Sequence, residues 1–253
     1  MTRLPELLDK PPSGRAAPVW FDSLAYCQAK LLGGAAVPWA APGELTAFYG
    51  KAQSMFGSDA VLIDLGALYE TQVSAALRTA MTARARTGYA LRTMLGDEDV
   101  RSAARAAVAA IVATAGPAPV VLTVPAPGRW LRAAAGDPGG PVDADLAETG
   151  SMYVADLLRA FGDSGVDGLL LNEGQAADSP GSKAYRPVLN IAEHYGWPVL
   201  LRSAGVVKGE GRSGTADPPF FWDETGPPSG FLLVTVPADA APEAVMRRIR
   251  RLG

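Results

Sequence analysis

Histidine and cysteine are almost missing from this chain of 253 residues, which holds one of each, His194 and Cys27. A single cysteine excludes an intrachain disulfide, and the pair together cannot supply a Cys₄ or Cys₂His₂ zinc site. Nucleophilic catalysis of the Ser-His-Asp or Cys-His kind is left without a plausible base or thiol. His194 lies within the helical stretch NIAEHYGW, and Cys27 sits at helical spacing from Leu24 and Leu31 as a small core side chain. Basic excess is also absent: 23 Lys and Arg stand against 26 Asp and Glu, a net charge of −3 that argues against binding nucleic acid through phosphates. No apolar run reaches the roughly 18 residues a membrane span needs, and MTRLPELLDKPPSGR lacks the apolar segment of a secretory signal. The expectation is a soluble cytoplasmic protein without nucleic-acid or membrane partners. Glycine clusters at GGAAV, APGRW and GEGRSG match neither the P-loop nor the dinucleotide fingerprint, so no nucleotide cofactor is indicated.

What is present is a hydrophobic content of 48% broken by 28 glycines and 21 prolines, the composition of many short loops around a real core. Five apolar runs lack alternation, as strands buried on both faces do: DAVLIDLG (Asp59 to Gly66), PVVLTVP (Pro119 to Pro125), VDGLLLNEG (Val166 to Gly174), WPVLLRS (Trp197 to Ser203) and GFLLVTVP (Gly230 to Pro237). Amphipathic stretches of ten or more residues lie between them, which implies parallel β-α units. Asp97 is placed to cap a helix that Gly116 ends, while Pro187 opens another that Gly196 stops. Three weaker runs bring the strand total to eight: Ala35 to Trp39, Tyr89 to Thr93 and Phe220 to Asp223. Residues 203–219, rich in glycine, read either as a lid or as a loop without order.

The predicted fold is therefore α/β, a (β/α)₈ TIM-like barrel forming one domain over residues 1–253, with an N-terminal helical cap region within residues 1–56. In such barrels the chemistry gathers where strands end. The runs end on Trp39, Asp64, Arg92, the turn carrying Arg129 and Trp130, then Asn172 and Glu173, Arg202, and Trp222 with Asp223. Asp64 and Glu173 are the candidate catalytic carboxylates; Arg92, Arg129, Trp130, Asn172, Arg202 and Trp222 are the candidate substrate-binding set. Arginines grip carboxylates through paired N–H groups, and carboxylates accept N–H groups or move protons, which suits a polar or anionic small molecule. The bland alternative is that these charges pair with one another, Asp64 with Arg92 or Glu173 with Arg202. The terminal RRIRR is a solvated helix face, and a homodimer is left open.

Taken with GYALRTMLGDEDVRSA and SPGSKAYRPVLNIAEHYGWPVLLRSAG, these segments resemble the uroporphyrinogen decarboxylase family and, more distantly, the barrel of cobalamin-independent methionine synthase. The resemblance covers roughly residues 57 to 205 and the closing APEAVMRRIR helix. It implies an eight-stranded barrel with Asp64 at the position of the family's strand-end aspartate, which holds substrate pyrrole N–H groups. Ala133 and Gly174 stand where the family has a tyrosine and a serine, no histidine follows His194, and the arginine-rich N-terminal motif is not visible. Porphyrin decarboxylation is not expected, and zinc-dependent methyl transfer lacks its ligands. The favoured reading is a cofactor-independent lyase that uses acid/base chemistry on a small carboxylated or heteroaromatic substrate. A non-catalytic ligand-binding or accessory barrel stands as the rival, with methyl transfer without zinc as a second alternative. No metal is expected, although Asp64, Glu173 and Asp223 keep an all-oxygen Mg²⁺ site open.

Overall fold

A computed structural model describes residues 4–174, 182–209, 212–222 and 230–252. The elements run α1 (Leu4–Asp9), β1 (Val19–Asp22), α2 (Leu24–Leu31), α3 (Pro42–Phe56), β2 (Val61–Asp64), α4 (Leu65–Gln72), α5 (Ala75–Met81), α6 (Tyr89–Leu95) and α7 (Glu98–Thr114). They continue with β3 (Val120–Pro125), α8 (Pro127–Ala134), α9 (Ala144–Leu158), β4 (Gly168–Asn172), α10 (Arg186–Tyr195), β5 (Val199–Ser203), β6 (Val206–Gly209), β7 (Arg212–Ala216), α11 (Pro219–Trp222), β8 (Phe231–Thr235) and α12 (Pro242–Arg250). The eight strands form one sheet in the order β1-β8-β7-β6-β5-β4-β3-β2. Its two outermost strands approach each other, so the sheet curls into a nearly closed barrel. Two side chains and one main-chain bond bridge that last gap: Val19 N–H donates to Asp59 Oδ2 at 2.9 Å, Phe21 N–H donates to Ser58 Oγ at 3.0 Å, and Asp59 N–H donates to Val19 O at 2.9 Å. A buried carboxylate thereby covers an edge N–H group that would otherwise lack a partner.

All five strong runs are strands. Strand β3 is buried at its first five positions and β4 at its first four, as central parallel strands require. The three weaker runs are not strands. Residues 89–93 fall in helix α6, where Leu91, Met94 and Leu95 are buried at the 3, 4 spacing of a helix. Residues 35–38 are irregular and Trp39 opens a turn, its N–H donating to Val37 O at 2.8 Å, and Phe220 to Trp222 belong to the short helix α11, with Asp223 outside the described residues. Three other strands complete the sheet. Strand β1 falls within the expected helical cap region; between Pro18 and Asp22 its apolar run, Val19 to Phe21, is only three residues long.

Strands β6 and β7 occupy most of residues 203–219, and they depart from uniform β-α alternation. The β5–β6 and β6–β7 pairs are antiparallel and no helix intervenes, while β7 pairs with β8 in parallel. Glycine hides these strands from a hydropathy reading and also makes them fit. A Cβ on Gly209 would collide with Leu200 Cδ2, and one on Gly214 with the Phe231 carbonyl.

Strand side chains divide into two cores. Val19, Phe21, Ile63, Leu122, Leu169 and Val234 face the surrounding helices. Trp20, Val121, Leu170, Leu200, Val207 and Leu233 fill the barrel interior, joined by Leu4 and Leu8 of α1, which cover its N-terminal end. Arg212 of β7 fixes that helix with two hydrogen bonds to Asp9, at 2.7 and 2.9 Å.

Candidate active site

Alternation along a strand decides what lines the barrel mouth. Two residues beyond the interior positions Trp20, Leu62, Val121, Leu170, Leu200 and Leu233 stand Asp22, Asp64, Thr123, Asn172, Arg202 and Thr235. An apolar layer is thus topped by a polar one, at the C-terminal strand ends. The mouth has two unlike halves.

The half formed by β1, β5, β7 and β8 is closed on itself. Arg202 Nη1 donates to Asp22 Oδ2 at 3.0 Å, and its Nη2 donates to Asp217 Oδ2 at 2.6 Å and to the Thr235 hydroxyl. Asp217 in turn accepts from Thr235 N–H at 2.8 Å through Oδ1, and it holds a left-handed φ of 49° to do so. Arg202 therefore pairs neither with Glu173 nor with an open site: its guanidinium braces three strands. Glu173 N–H donates to Arg202 O along the main chain at 2.9 Å. Trp222 packs beside Phe221 with ring centroids 4.8 Å apart, and its carbonyl accepts from Arg248 at 2.7 Å.

The half formed by β2, β3 and β4 opens into a cleft of about 1200 Å³. Asp64, Thr123, Asn172 and Glu173 line it from the strand ends, and Arg129 and Trp130 from α8. Asp64 caps α4, accepting from Ala67 N–H at 3.0 Å. Burial nevertheless dominates, and with Asp22 adding like charge it pushes the Asp64 carboxyl up from an ordinary 3.8 to about 6. Glu173 is 2% exposed and accepts from the Tyr185 hydroxyl at 2.6 Å. Burial and that carboxylate together hold the Tyr185 phenol far above its usual range. Asn172 Oδ1 accepts from Gly174 N–H at 2.9 Å, fixing the turn after β4. Trp130 stands edge-on to Tyr69 as a wall. Among the described residues Arg129 has no ion-pair partner, and Arg78, Arg84 and Arg86 edge the same cleft from α5 and the segment that follows it.

Five of the eight predicted residues therefore meet at one cleft: Asp64, Glu173, Arg129, Trp130 and Asn172. Arg202 and Trp222 belong elsewhere. Arg92 is exposed on helix α6, so the strand that would have brought it to the mouth does not exist, and it does not line the cleft. Sequence reasoning missed Tyr185, Asp22 and Asp217. Asp22 ends a strand that was not recognised, while Tyr185 and Asp217 lie in connections that carry no periodic signal.

Close helix packing sets the position of Arg129 and Trp130. A Cβ on Gly150 of α9 would run into the Pro127 carbonyl, and one on Gly128 into Val142, so α8 and α9 touch at backbone distance. In comparisons with known proteins, no family model, no curated protein and no solved structure matches this chain.

Proposed function

We propose that the protein is a cofactor-independent acid/base enzyme of the lyase type, acting on a small carboxylated or heteroaromatic molecule bound in the cleft over β2, β3 and β4. One observation carries this reading: a strand-end carboxyl near pKa 6, Asp64, lines the same cleft as Glu173 and an arginine with no carboxylate partner among the described residues. At pH 7 about one Asp64 in ten is protonated, which suits a group that both gives and takes protons near neutrality. Arg129 holds a substrate carboxylate through paired N–H groups, and Trp130 flanks an apolar or aromatic face. When the bond between the substrate carbon and a carboxylate of the substrate breaks, CO₂ leaves and the electron pair of that bond stays on the carbon. The Asp64 carboxyl protonates that carbon and is left as carboxylate, and Glu173 serves as the second acid/base. The barrel-like sheet and the strand-end position of Asp64 support a divergent (β/α)₈ barrel akin to the uroporphyrinogen decarboxylase family.

The rival reading, a barrel that binds without catalysing, is favoured by Ala133 and Gly174. Both line the cleft at positions where that family carries a tyrosine and a serine. Incubating the purified protein with a mixture of cell metabolites, and measuring bound mass and turnover together, separates the two. Turnover abolished by Asp64→Asn while binding persists supports the enzyme. Binding without turnover, unchanged by Asp64→Asn, supports the rival.

A further inference from the structure

A second, much smaller pocket of about 40 Å³ lies on the other side of Asp64 and Thr123, which line both it and the cleft. Its polar lining includes Asp22 of β1, Tyr49 of α3, Asp64 and Thr123. The Tyr49 Oη and Thr123 Oγ1 atoms are buried and find no hydrogen-bond partner among the described residues. Two orphaned hydroxyls on one pocket are costly, since each forfeits the hydrogen bond it would make in water. A space of about 10 to 15 Å³ accommodates one water, and a water is retained where two to four polar partners surround it. This pocket has the room and the partners.

We propose that the pocket between Asp64 and Asp22 is a built hydration site, in which two or three waters held by Tyr49 Oη and Thr123 Oγ1 join the two carboxyls so that they titrate as one linked unit. A proton leaving the Asp64 carboxyl passes to a pocket water as that water hands a proton to the Asp22 carboxylate. Asp64 ends as carboxylate, Asp22 as carboxylic acid, and the waters are unchanged. The groups facing Asp64 are Asp22 from β1, Tyr49 from α3, Thr123 from β3, and Glu70 with the Gly66 and Ala67 N–H groups from α4. Burial raises the Asp22 carboxyl above its ordinary range; Arg202, facing it from behind at 3.0 Å, draws it part of the way back toward the charged form, and Asp217 adds like charge. Asp22 is thus a positioning residue that acts on Asp64 through charge and water. The Arg202 cluster, which does not line the cleft, becomes its electrostatic support.

The hydration site and the linkage are properties of the resting protein and do not depend on turnover; only a role for the relay in catalysis rests on the acid/base reading. A high-resolution crystal structure of the unliganded protein is expected to show ordered water within hydrogen-bond distance of both Tyr49 Oη and Thr123 Oγ1. A dry pocket there overturns the proposal without any variant having to fold. Carboxyl ¹³C NMR titration is expected to give two-step curves for Asp64 and Asp22, each reporting the other. In Asp22→Asn the Asp64 midpoint is expected to move down to a single step, whereas one-step curves in the wild type, or an unmoved midpoint, overturn the linkage. The isosteric Thr123→Val is expected to lose the water on Thr123 and to narrow the separation of the two steps to what direct charge repulsion leaves, and an unchanged separation overturns the water path. Turnover with a dry pocket sinks this proposal alone; linked titration without turnover sinks the enzymatic reading alone.

Discussion

The Tyr185 hydroxyl donates to Glu173 Oε1 at 2.6 Å, tying the connection before α10 to the end of β4. Both residues are buried, at 3% and 2% exposure, so neither group can turn to bulk water as an alternative. The bond fixes the carboxylate at the cleft wall.

Tyr185→Phe removes that donor while keeping the ring. A loss of about 1 to 2 kcal/mol is expected, because a buried acceptor surrenders a hydrogen bond to a charged group. Urea unfolding monitored by tryptophan fluorescence reads it as a lower midpoint at unchanged slope.

Arg202→Met is expected to cost about 3 kcal/mol, since Asp22 and Asp217 would then face each other without the cation between them. Arg202→Lys should recover only part of this, as an ammonium cannot reach Asp22, Asp217 and Thr235 in one plane. Thermal unfolding of the two variants side by side checks the order.

The Asp64 carboxyl makes folding stability fall as pH rises. Its folded pKa, about 6, exceeds the ordinary 3.8, so the folded chain holds the proton more tightly than the unfolded one. The stability it contributes is complete below about pH 4, declines between 4 and 6, and is gone above 6. Asp64→Asn, which can still cap α4, is therefore expected to be more stable than the wild type by up to about 3 kcal/mol at pH 8, with the difference vanishing by pH 4. Unfolding midpoints of both proteins across that range test it, and a constant difference would count against the raised pKa. Greater stability in the variant is also what a residue kept for chemistry, rather than for folding, should show.

Gly150→Ala forces a methyl into the Pro127 carbonyl and must push α8 away from α9. An overpacking loss of about 1 to 3 kcal/mol is expected. Because α8 carries Arg129 and Trp130, ligand affinity in the cleft should fall further than stability alone explains. Binding measured well below the melting temperature separates the two effects.

The strands legible in the sequence were those whose apolar runs span both cores, such as VVLTV at 120–124 and GLLLN at 168–172. Hydropathy saw them because burial on both faces leaves no polar position to break the run. Strands β6 and β7 escaped because they fit by having no side chain at Gly209 and Gly214, and absent atoms leave no hydrophobic signal. Helix α6 was misread since Tyr89 and Thr93 favour strands locally, whereas Leu91, Met94 and Leu95 decide by packing on one helical face. The same logic sorts the site. Asp64, Asn172 and Glu173 follow recognisable strands, so their meeting was foreseeable. The partners of Arg202 were not: Asp22 is 180 residues away in sequence, and Asp217 adopts an unusual backbone to reach it.

Helix α1 seals the N-terminal end of the barrel. With Leu4 fully buried and Leu8 nearly so at the N-terminal end, and a Cβ on Gly168 already meeting Leu4 Cδ2, nothing passes through the barrel from end to end. If the cleft over β2, β3 and β4 works as the proposed active site, substrate and product would share the C-terminal mouth, and the expected signature is competitive inhibition by product.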